Sequence, residues 1–363
     1  MRAVVLVGGE GTRLRPLTLT TPKQMLPIVE QPMIERVLGH LANHGIDDAV
    51  LSLGYRPDAF INAYPAGSIA GVHLTYAVEP TPLDTAGAIR FAAEHAGVDD
   101  TFVVVNGDVL TDSDISALIA FHGASGGQAT ISLTPVDDPS AFGVVPTDDH
   151  GRVEAFIEKP PRDEAPTNLI NAGTYVFEPS VLGRIPSGRR VSIERETFPA
   201  LVEEGSLFAL GSDAYWLDTG TPDAYLRAHR DLLLGRRPGP PAPGATLDPS
   251  LGSGVWRIGE VQVQSTDVTR SLFGAGASVA PSATVEESVV GAGAVIEEGA
   301  TLIGSVLLPG ARVASKARVE GSVVGPGAIV GQRCVIHALS VIGDGAVTAS
   351  GTVIDGQRVP AGT

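Results

Sequence analysis

The sequence predicts an α/β domain with a Rossmann-like, mixed and mostly parallel sheet, followed by a left-handed parallel β-helix. The chain has 363 residues, more than one average domain needs. Short β-branched runs alternate with helix-like stretches through about residue 233, and later in the chain aliphatic residues recur at every sixth position. We therefore expect a first domain at residues 1–234, a linker at 235–254 and a β-helix at 255–363.

The first half carries the alternation of strands and helices that builds a parallel sheet. Its strand-like runs include AVVLV, VHLTYAV and FVVVNGD, and its helix-like stretches include MIERVLGHLANHG and TAGAIRFAAEHAG. In open sheets of this kind, ligands bind at the carboxyl ends of the strands. Functional residues are expected at those ends.

The second half follows a segment rich in proline and glycine, GRRPGPPAPGAT, which can sustain neither a helix nor a central strand and is expected to be a linker. Beyond it, a period of six places two sets of aliphatic residues on two registers: Val290, Ile296, Leu302 and Leu308, then Val324, Val330, Ile336, Ile342 and Ile354. One stacked aliphatic per hexapeptide is typical of a left-handed parallel β-helix. The change of register between residues 308 and 324 predicts an irregular coil or a loop there. Exposed faces of such a prism favour a homo-oligomer.

The composition excludes several function classes. The formal net charge of −16 argues against a protein that coats nucleic acid or an anionic membrane. Cys334 is the only cysteine, so the chain has no internal disulfide and no cysteine-based zinc site. The apolar run at the start ends at Gly8 after five residues, too few for a signal peptide or a membrane span. We expect a soluble cytoplasmic protein.

The stretch VLVGGEGTRLRPLTLTTPKQMLPI, residues 5–28, combines a glycine-rich loop with several cations. Glycines after a strand let backbone N–H groups approach a polyphosphate, although the same residues would suit a plain tight turn. Arg13 favours the first interpretation, because a guanidinium can bind triphosphate oxygens bidentately. Lys23, after Pro22, adds a point charge. The stretch indicates a triphosphate site from which pyrophosphate leaves.

GGEGTRLRPLT followed by PKQMLPI resembles the signature of the sugar-nucleotide pyrophosphorylases, nucleotidyltransferases that make NDP-sugars from an NTP and a sugar 1-phosphate. The resemblance continues through VVNGDVL, FIEKP, NAGTYVF, VSIERETFP and WLDTGTPDAYL. It is closest to the mannose-1-phosphate guanylyltransferases, many of which carry a hexapeptide-repeat tail. It implies that residues 1–234 form a nucleotidyltransferase catalytic domain.

The resemblance also implies roles for individual residues. Arg13, Lys23 and Lys159 would be the catalytic cations. Nucleotide contacts would come from Val7, Gly8, Gly9, Gly11, Thr12, Arg13, Pro82, Asp84, Thr85 and Gly107. Contacts to the sugar and its phosphate would come from Gly143, Glu158, Lys159, Asn171, Gly173 and Glu194.

Two aspartates are candidate magnesium ligands. Asp108 ends the run FVVVNGD and Asp218 lies in YWLDTGTP, each at the end of an apolar run. Two carboxylates, phosphate oxygens and waters are a usual way to hold Mg²⁺. A lone aspartate at a strand end is more often a turn former, but both positions match the family's magnesium aspartates.

The sugar-side motifs also have structural interpretations. NAG at Asn171–Gly173 could be a turn, and Ser192 in VSIERETFP could cap a helix with acidic residues in its first turn. Glu158 and Lys159 are adjacent on a strand-like segment, so we expect them to point to opposite faces and not to form an ion pair.

Two positions depart from the family pattern around the base. PLDTAG carries Asp84 where guanylyltransferases commonly have glycine, and a carboxylate there could accept both guanine N1–H and the exocyclic amine. Adenine could offer it one amine hydrogen, and the side chain could instead face solvent. Gln24 stands where the commoner PKP motif has its second proline, and in this the sequence resembles the thymidylyltransferases. GTP is favoured, with other bases and cyclitol 1-phosphates as alternatives.

The reaction implied is in-line attack of a sugar 1-phosphate, preferably mannose 1-phosphate, on the α-phosphorus of the NTP. A β-helix acyltransferase would need His337 as a base. Packing explains the presence of this histidine better than catalysis does, because no looped-out segment surrounds it. A non-catalytic regulatory paralogue should have lost catalytic residues, and this chain retains them.

Overall fold

The alternating apolar runs of the first part of the chain form strands and helices in the computed structural model, which describes residues 1–362. Its strands are β1 (Arg2–Leu6), β2 (Pro27–Ile28), β3 (Gln31–Pro32), β4 (Asp48–Leu53), β5 (Ser68–Ile69), β6 (Val72–Val78), β7 (Phe102–Asn106), β8 (Val109–Thr111), β9 (Ala129–Pro135), β10 (Gly143–Val144), β11 (Ile157–Glu158), β12 (Leu169–Phe177), β13 (Leu207–Gly211) and β14 (Trp216–Asp218). Its helices are α1 (Met33–Asn43), α2 (Pro57–Ala63), α3 (Asp84–His95), α4 (Ile115–Ser125), α5 (Phe198–Glu203) and α6 (Pro222–Leu233).

The later part of the chain consists of short strands. They are β15 (Ala245–Leu247), β16 (Trp256–Ile258), β17 (Gln262–Val263), β18 (Asp267–Thr269), β19 (Leu272–Phe273), β20 (Ser278–Val279), β21 (Thr284–Glu286), β22 (Val289–Val290), β23 (Val295–Ile296), β24 (Thr301–Ile303), β25 (Val306–Leu307), β26 (Arg312–Val313), β27 (Arg318–Glu320), β28 (Val323–Val324), β29 (Ile329–Val330), β30 (Val335–His337), β31 (Val341–Ile342), β32 (Val353–Asp355) and β33 (Arg358–Val359). None of the helices within residues 1–362 has the length and apolar character needed to span a bilayer.

The chain divides into two compact units. The sheet unit contains residues 1–9 and 34–216, and the β-helix unit contains residues 10–33 together with those from 217 onward. Most of the glycine- and arginine-rich signature therefore belongs to the same unit as the repeats. The domain limits expected at residues 234 and 254 stay a prediction.

The sheet unit is built on one mixed sheet, as predicted. The strand order is β11-β10-β12-β7-β1-β4-β6-β5, with β9 on β12 and β13 on β9. The central strands β7, β1, β4 and β6 run parallel, while β12 runs antiparallel to β7 and β9. The parallel strands are continuous apolar runs because both faces are covered, and their residues Val4, Val50 and Val104 are fully buried. Their carboxyl ends lie at one edge.

Besides the antiparallel hairpin of β2 and β3, the β-helix unit contains three sheets whose strands pair in parallel, apart from the antiparallel pair β15 and β16. The parallel β-helix is therefore confirmed. The regular coils take 17 residues, as in the pairs Val290 with Leu307 and Leu307 with Val324, whereas the step from Trp256 to Leu272 takes 16 and the step from Val324 to Ile342 takes 18. The predicted irregularity between residues 308 and 324 is wrong, because the hexapeptide period loses one residue at one corner of every regular coil.

That short corner has a recurring structure. The residue before its serine has a positive φ: Arg270, Glu287, Gly304, Gly321 and Leu339. The serine hydroxyl then accepts the amide of the next coil's serine, from Ser271 through Ser288 and Ser305 to Ser322. The column stops before Ser340, because the coil that carries it has 18 residues. Each serine Oγ in the column also donates to a carbonyl two residues earlier.

Candidate active site

The part of the signature segment that lies in the β-helix unit packs around Gly11. Gly11 has φ +62°, a conformation that glycine adopts without steric cost. A Cβ atom at Gly11 would lie 3.0 Å from both Lys23 Cβ and Thr18 Cγ2, and Thr18 Oγ1 donates to the Gly11 carbonyl at 2.8 Å. The loop therefore needs glycine at this position to bring the stem of Lys23 against the turn at Thr12–Leu14.

Arg13, Lys23 and Asp218 form a charged cluster in this unit. Arg13 Nη2 lies 3.9 Å from Asp218 Oδ2, and the arginine side chain is 62% exposed. Burial lowers the pKa of Lys23, Asp218 acts in the opposite direction, and Arg13 lowers the pKa further. An ammonium group in that environment gains more from an incoming phosphate than a solvated lysine would. The cluster is suited to hold an anion.

Gly220 gives this cluster its room. Its amide donates to Asp218 Oδ1 at 2.9 Å. A Cβ atom on Gly220 would lie 2.6 Å from Arg13 Nη2 and 2.9 Å from Asp218 Oδ1. Sequence reasoning missed Gly220, although its place two residues after a candidate metal ligand in LDTG was a usable signal.

Arg15 lies in the same loop but has a different partner. Its Nη2 lies 2.9 Å from Glu10 Oε2. Both side chains are exposed, so this pair is a surface ion pair. Of the two loop arginines, Arg13 is the one placed beside Lys23 and Asp218.

The candidate magnesium ligands lie in different units. Asp218 belongs to the β-helix unit and presents a second carboxylate oxygen besides the one that accepts Gly220 N–H. Asp108 belongs to the sheet unit and is partly buried in the turn between β7 and β8. No group of three or more His, Cys, Asp or Glu side chains within residues 1–362 is arranged to hold a metal. Each aspartate taken by itself offers the hard oxygen donors that Mg²⁺ prefers, and this ion usually takes one or two carboxylates plus waters and substrate phosphates.

At the carboxyl ends of β1 and β7, glycines allow close backbone packing. A Cβ atom on Gly107 would lie 2.5 Å from Val7 Cγ1, and one on Gly54 would lie 3.0 Å from the Gly8 carbonyl oxygen. Val7 is fully buried, whereas Gly8 and Gly9 are exposed. The exposed glycines leave backbone accessible at this edge, as a nucleotide-binding loop requires.

Glu79 is a candidate that sequence reasoning missed. Its Oε1 accepts Ser52 Oγ at 3.2 Å, and its Oε2 accepts the Leu83 amide at 3.0 Å. A Cβ atom on Gly8 would lie 3.2 Å from the same Oε1. The carboxylate thus lies between the glycine loop and the PLDTAG loop. Its place directly after β6, at a strand carboxyl end, was the available signal.

Asp84 explains why glycine is common in PLGTAG. Its φ is +62°, a left-handed conformation that aspartate tolerates better than most residues. Its Oδ1 accepts the Thr85 amide at 2.9 Å, and Oδ2 lies 3.7 Å from Arg190 Nη2. The Asp84 carboxylate therefore stabilises its own loop through the Thr85 amide, and the residue is also exposed to solvent. Pro82 beside it is exposed too.

Thr85 connects this loop to the VSIERETFP segment. Its hydroxyl donates to Glu194 Oε2 at 2.9 Å and accepts the Ile193 amide at 2.8 Å. Ser192 Oγ donates to the same Glu194 oxygen at 2.7 Å and accepts the Arg195 amide. Ser192 caps a helical turn as predicted, and that turn is a π-helix over Ile193–Thr197, a form often found at functional sites.

Asn171 and Gly173 lie where β12 bulges against β9. Asn171 Nδ2 donates to the buried Tyr175 hydroxyl at 3.0 Å, and its Oδ1 accepts the Gly173 amide. Gly173 has φ +76°, and a Cβ atom there would lie 2.5 Å from Asn106 Nδ2. Glycine is needed here for backbone conformation and for the approach of Asn106.

Glu158 and Lys159 correct one expectation. Lys159 Nζ lies 3.4 Å from Glu158 Oε1, although we expected the two to point apart. The reason is that β11 ends at Glu158 and Lys159 has φ +51°, which turns its side chain back. Gly143 pairs with Glu158 across the sheet, and a Cβ atom there would lie 2.5 Å from Phe156 Cζ.

His337 lies on an outward-facing part of the β-helix. Its Nδ1 is 3.4 Å from Asp355 Oδ1, and both side chains are exposed. Contrary to the expectation of no excursion, the coil carries one extra residue directly after it, where Ala338 and Leu339 have positive φ. An imidazole beside an exposed carboxylate is surface packing, one of the two kinds of packing, buried or surface, that were expected in place of a catalytic base.

The mixed sheet with a glycine loop and clustered cations defines a nucleotidyl transferase. A family profile described as nucleotidyl transferase matches residues 2–234, and one described as the GMPPB C-terminal domain matches residues 268–361. The chain belongs to the nucleotidyl transferase family, and the resemblance found in its motifs is confirmed.

More particular relatives narrow the comparison. The chain is 41% identical over 281 residues to the mannose-1-phosphate guanylyltransferase of Mycobacterium tuberculosis, spanning 77% of this chain and 76% of that one. It is 39% identical over 254 residues to the mannose-1-phosphate guanyltransferase of Saccharomyces cerevisiae, spanning 68% and 70%. The crystal structure of HddC from Yersinia pseudotuberculosis complexed with GMP-PN superposes with a TM-score of 0.55 at 29% identity, covering 63% of this chain and 98% of HddC.

Proposed function

We propose that the protein transfers GMP from GTP to mannose 1-phosphate, forming GDP-mannose and releasing pyrophosphate. The observation that carries the proposal is the cluster of Arg13, Lys23 and Asp218, built by Gly11 and Gly220. Similarity to guanylyltransferases of two organisms supports the choice of substrates.

The chemistry is in-line displacement at the α-phosphorus of the triphosphate. The sugar phosphate is already anionic and needs no general base, so the protein must align two anions and neutralise their repulsion. Arg13 and the loop amides would bind the β and γ phosphates. Lys23 and Lys159 would steady the incoming phosphate, because each carries a mobile point charge.

Magnesium would bind to Asp108 and Asp218 together with phosphate oxygens. Both residues offer hard oxygen ligands, the type that Mg²⁺ prefers. The bound ion would neutralise charge that develops on the phosphates. Gly220 N–H orients the Asp218 carboxylate for that role through Oδ1.

The sugar would lie against the bulge of β12. Asn171 and Gly173 lie at that bulge, and Glu194 is fixed to Thr85 of the base loop. Glu158 pairs with Gly143, whose lack of a side chain leaves the space filled by Phe156. This group would supply hydrogen bonds to the sugar hydroxyls.

Guanine is the base that two nearby carboxylates favour. Asp84 and Glu79 each have spare lone pairs besides the hydrogen bonds they accept, and a carboxylate can accept N1–H and the exocyclic amine of guanine together. We expect Asp84→Asn or Glu79→Gln to lower kcat/KM for GTP about tenfold and to change that for ATP far less, since adenine offers one amine. The variant with the larger loss of selectivity identifies the base-reading carboxylate.

The decisive experiment is pyrophosphate release from each of the five common NTPs with mannose, glucose and cyclitol 1-phosphates. GTP with mannose 1-phosphate should give the highest kcat/KM. A higher value for another pair replaces those substrates, and no release with any pair refutes the proposed function.

The setting we propose is the cytoplasm, with a homo-oligomer formed through the β-helix. The single cysteine, Cys334, is buried and forms no disulfide, which suits a reducing compartment. Ile329 and Val347, which pair across neighbouring coils, have exposed aliphatic side chains, as does Val353 in another sheet of the β-helix. Such residues are candidates for subunit contacts. Light scattering of the purified protein measures the oligomer.

A further inference from the structure

A strained turn lies between β2 and β3 in the signature segment. The two strands form an antiparallel hairpin whose turn residues, Val29 and Glu30, have φ +48° and +63°. Such two-residue turns normally use asparagine and glycine, and a β-branched residue in a left-handed conformation is an outlier. A turn of this kind persists only where its surroundings hold it.

Helix α6 supplies one set of anchors. The Val29 amide donates to His229 Nδ1 at 3.2 Å, and Val29 is fully buried. The hydroxyl of Tyr225, also on α6, donates to the Pro27 carbonyl. These contacts fix the backbone of the hairpin from inside the unit.

The β-helix supplies the second anchor. Glu30 Oε2 accepts the amide of Ala292, at the corner between β22 and β23, at 3.0 Å. A Cβ atom on Gly274, one coil earlier, would lie 2.7 Å from the same oxygen. Burial raises the pKa of Glu30, and the hydrogen bond from Ala292 acts in the opposite direction. The carboxylate thus enters a space that the coil leaves open.

A second contact with the β-helix lies on the other side of Lys23. Pro16 is buried, and a Cβ atom on Gly343 would lie 3.0 Å from Pro16 Cγ. Pro16 and Glu30 are each seven residues from Lys23. The segment with the phosphate-binding lysine is therefore held by the repeat domain at both ends.

We propose that Glu30 is a positioning residue, through which the β-helix amide of Ala292 holds the segment that carries Lys23. This inference rests on the proposed function for the role of Lys23. It assigns the β-helix a part in sugar phosphate binding, besides any part in subunit contacts.

The chain offers sharp variants for a test. Glu30→Ala removes the acceptor, and Glu30→Gln retains an acceptor oxygen. Ala292→Pro removes the donor, and proline already occupies the equivalent positions of the next two coils, Pro309 and Pro326. Glu287→Ala is the matched control, since Glu287 also has a positive φ and pairs with Arg230 and Arg270 rather than with the signature segment.

Two measurements on the full chain are needed. Steady-state kinetics should show a KM for mannose 1-phosphate raised about fivefold in Glu30→Ala and in Ala292→Pro, with kcat changed less, because the lysine would be misplaced rather than lost. The double variant should be no worse than either single one, because both remove the same contact. Glu30→Gln and Glu287→Ala should stay within about twofold of the parent.

Amide hydrogen exchange of residues 20–32 is the second measurement and does not depend on turnover. It should speed up in Glu30→Ala and Ala292→Pro and stay unchanged in Glu287→Ala. Unchanged exchange in both contact variants overturns the inference, as does equal loss of activity in Glu30→Ala and Glu287→Ala. If the parent turns over no sugar 1-phosphate, the proposed function fails, while the exchange result still decides whether Glu30 positions the segment.

Discussion

The cluster of Arg13, Lys23 and Asp218 differs in kind from the hydrogen-bonded network formed by two groups, one around Thr85 and Glu194 and one around Asn171. In the network, side chains bond to each other at 2.7 to 3.0 Å, as Ser192 does with Glu194 and Asn171 with Tyr175. In the charged cluster, the nearest arginine and carboxylate atoms are 3.9 Å apart, and burial disfavours the charge of Lys23. The network is held together by its own hydrogen bonds, whereas the charged cluster has loosely paired charges that an anion would complete under the proposed function.

The largest expected effect comes from removing the cation of the charged cluster. Arg13→Ala should lower kcat about a hundredfold, the scale for losing one transition-state electrostatic contact. Arg15→Ala is the control, because Arg15 pairs with Glu10 on the surface, and it should retain activity within about threefold. Pyrophosphate release measures both. Equal losses in the two variants would place the triphosphate elsewhere.

A smaller effect is expected from crowding the cluster without removing a charge. Gly220→Ala should lower kcat about tenfold, because its Cβ would displace Arg13 Nη2 and Asp218 Oδ1 by fractions of an ångström. Gly183→Ala is a matched control, since nothing lies within 4 Å of a Cβ there. Thermal unfolding should show similar Tm values for both. If Gly220→Ala has the activity of the parent, the cluster does not need this geometry.

The smallest expected effect is a change in pH dependence. Because the pKa of Lys23 lies below the ordinary 10.5, its charged form is lost at a lower pH than for a solvated lysine. The kcat/KM for sugar phosphate should therefore fall a few-fold as the pH rises towards that lowered pKa, and the fall should disappear in Lys23→Arg, which keeps its charge. Rate profiles between about pH 7 and 10 test this. The same alkaline fall in Lys23→Arg would assign it to another group.

The chain has three lysines, so the same point can be checked without turnover. Acetic anhydride reacts with neutral amines, and the labelling rate of Lys23 should rise at a lower pH in the folded chain than in the denatured chain. Asp218→Asn should shift that rise to still lower pH, because Asp218 raises the pKa.

Local periodicity explains how much of the fold the sequence could predict. Apolar runs such as FVVVNGD identify buried strands, and the period of six identifies a β-helix. The sequence did not reveal that one corner of each regular coil is one residue short. Leu307 and Leu308 are both aliphatic and both buried, so either could continue the repeat. The positive φ of Lys159 was also hidden, since a lysine gives no local sign of a left-handed backbone.

The candidate site divides in the same way. Arg13, Lys23 and Asp218 were predicted because their motifs are contiguous and chemically distinctive. Glu79 was missed because an acid after a strand resembles any surface residue. The bond between Glu30 and Ala292 spans 262 positions, and no local pattern encodes a contact at that separation.

The serine column of the β-helix determines how this half of the molecule comes apart. Each serine-to-serine hydrogen bond joins only two neighbouring coils, so loss of one hydroxyl removes one such bond and leaves the others intact. The eighteen-residue coil interrupts this column of serine hydrogen bonds, although the strands on either side of it still pair in parallel. Pro16 contacts Gly343, which follows that coil in the chain, whereas Glu30 accepts a hydrogen bond from Ala292, which precedes it. Local unfolding of the last coils would therefore release the contact at Pro16, on one side of Lys23, while the contact at Glu30, on the other side, remains.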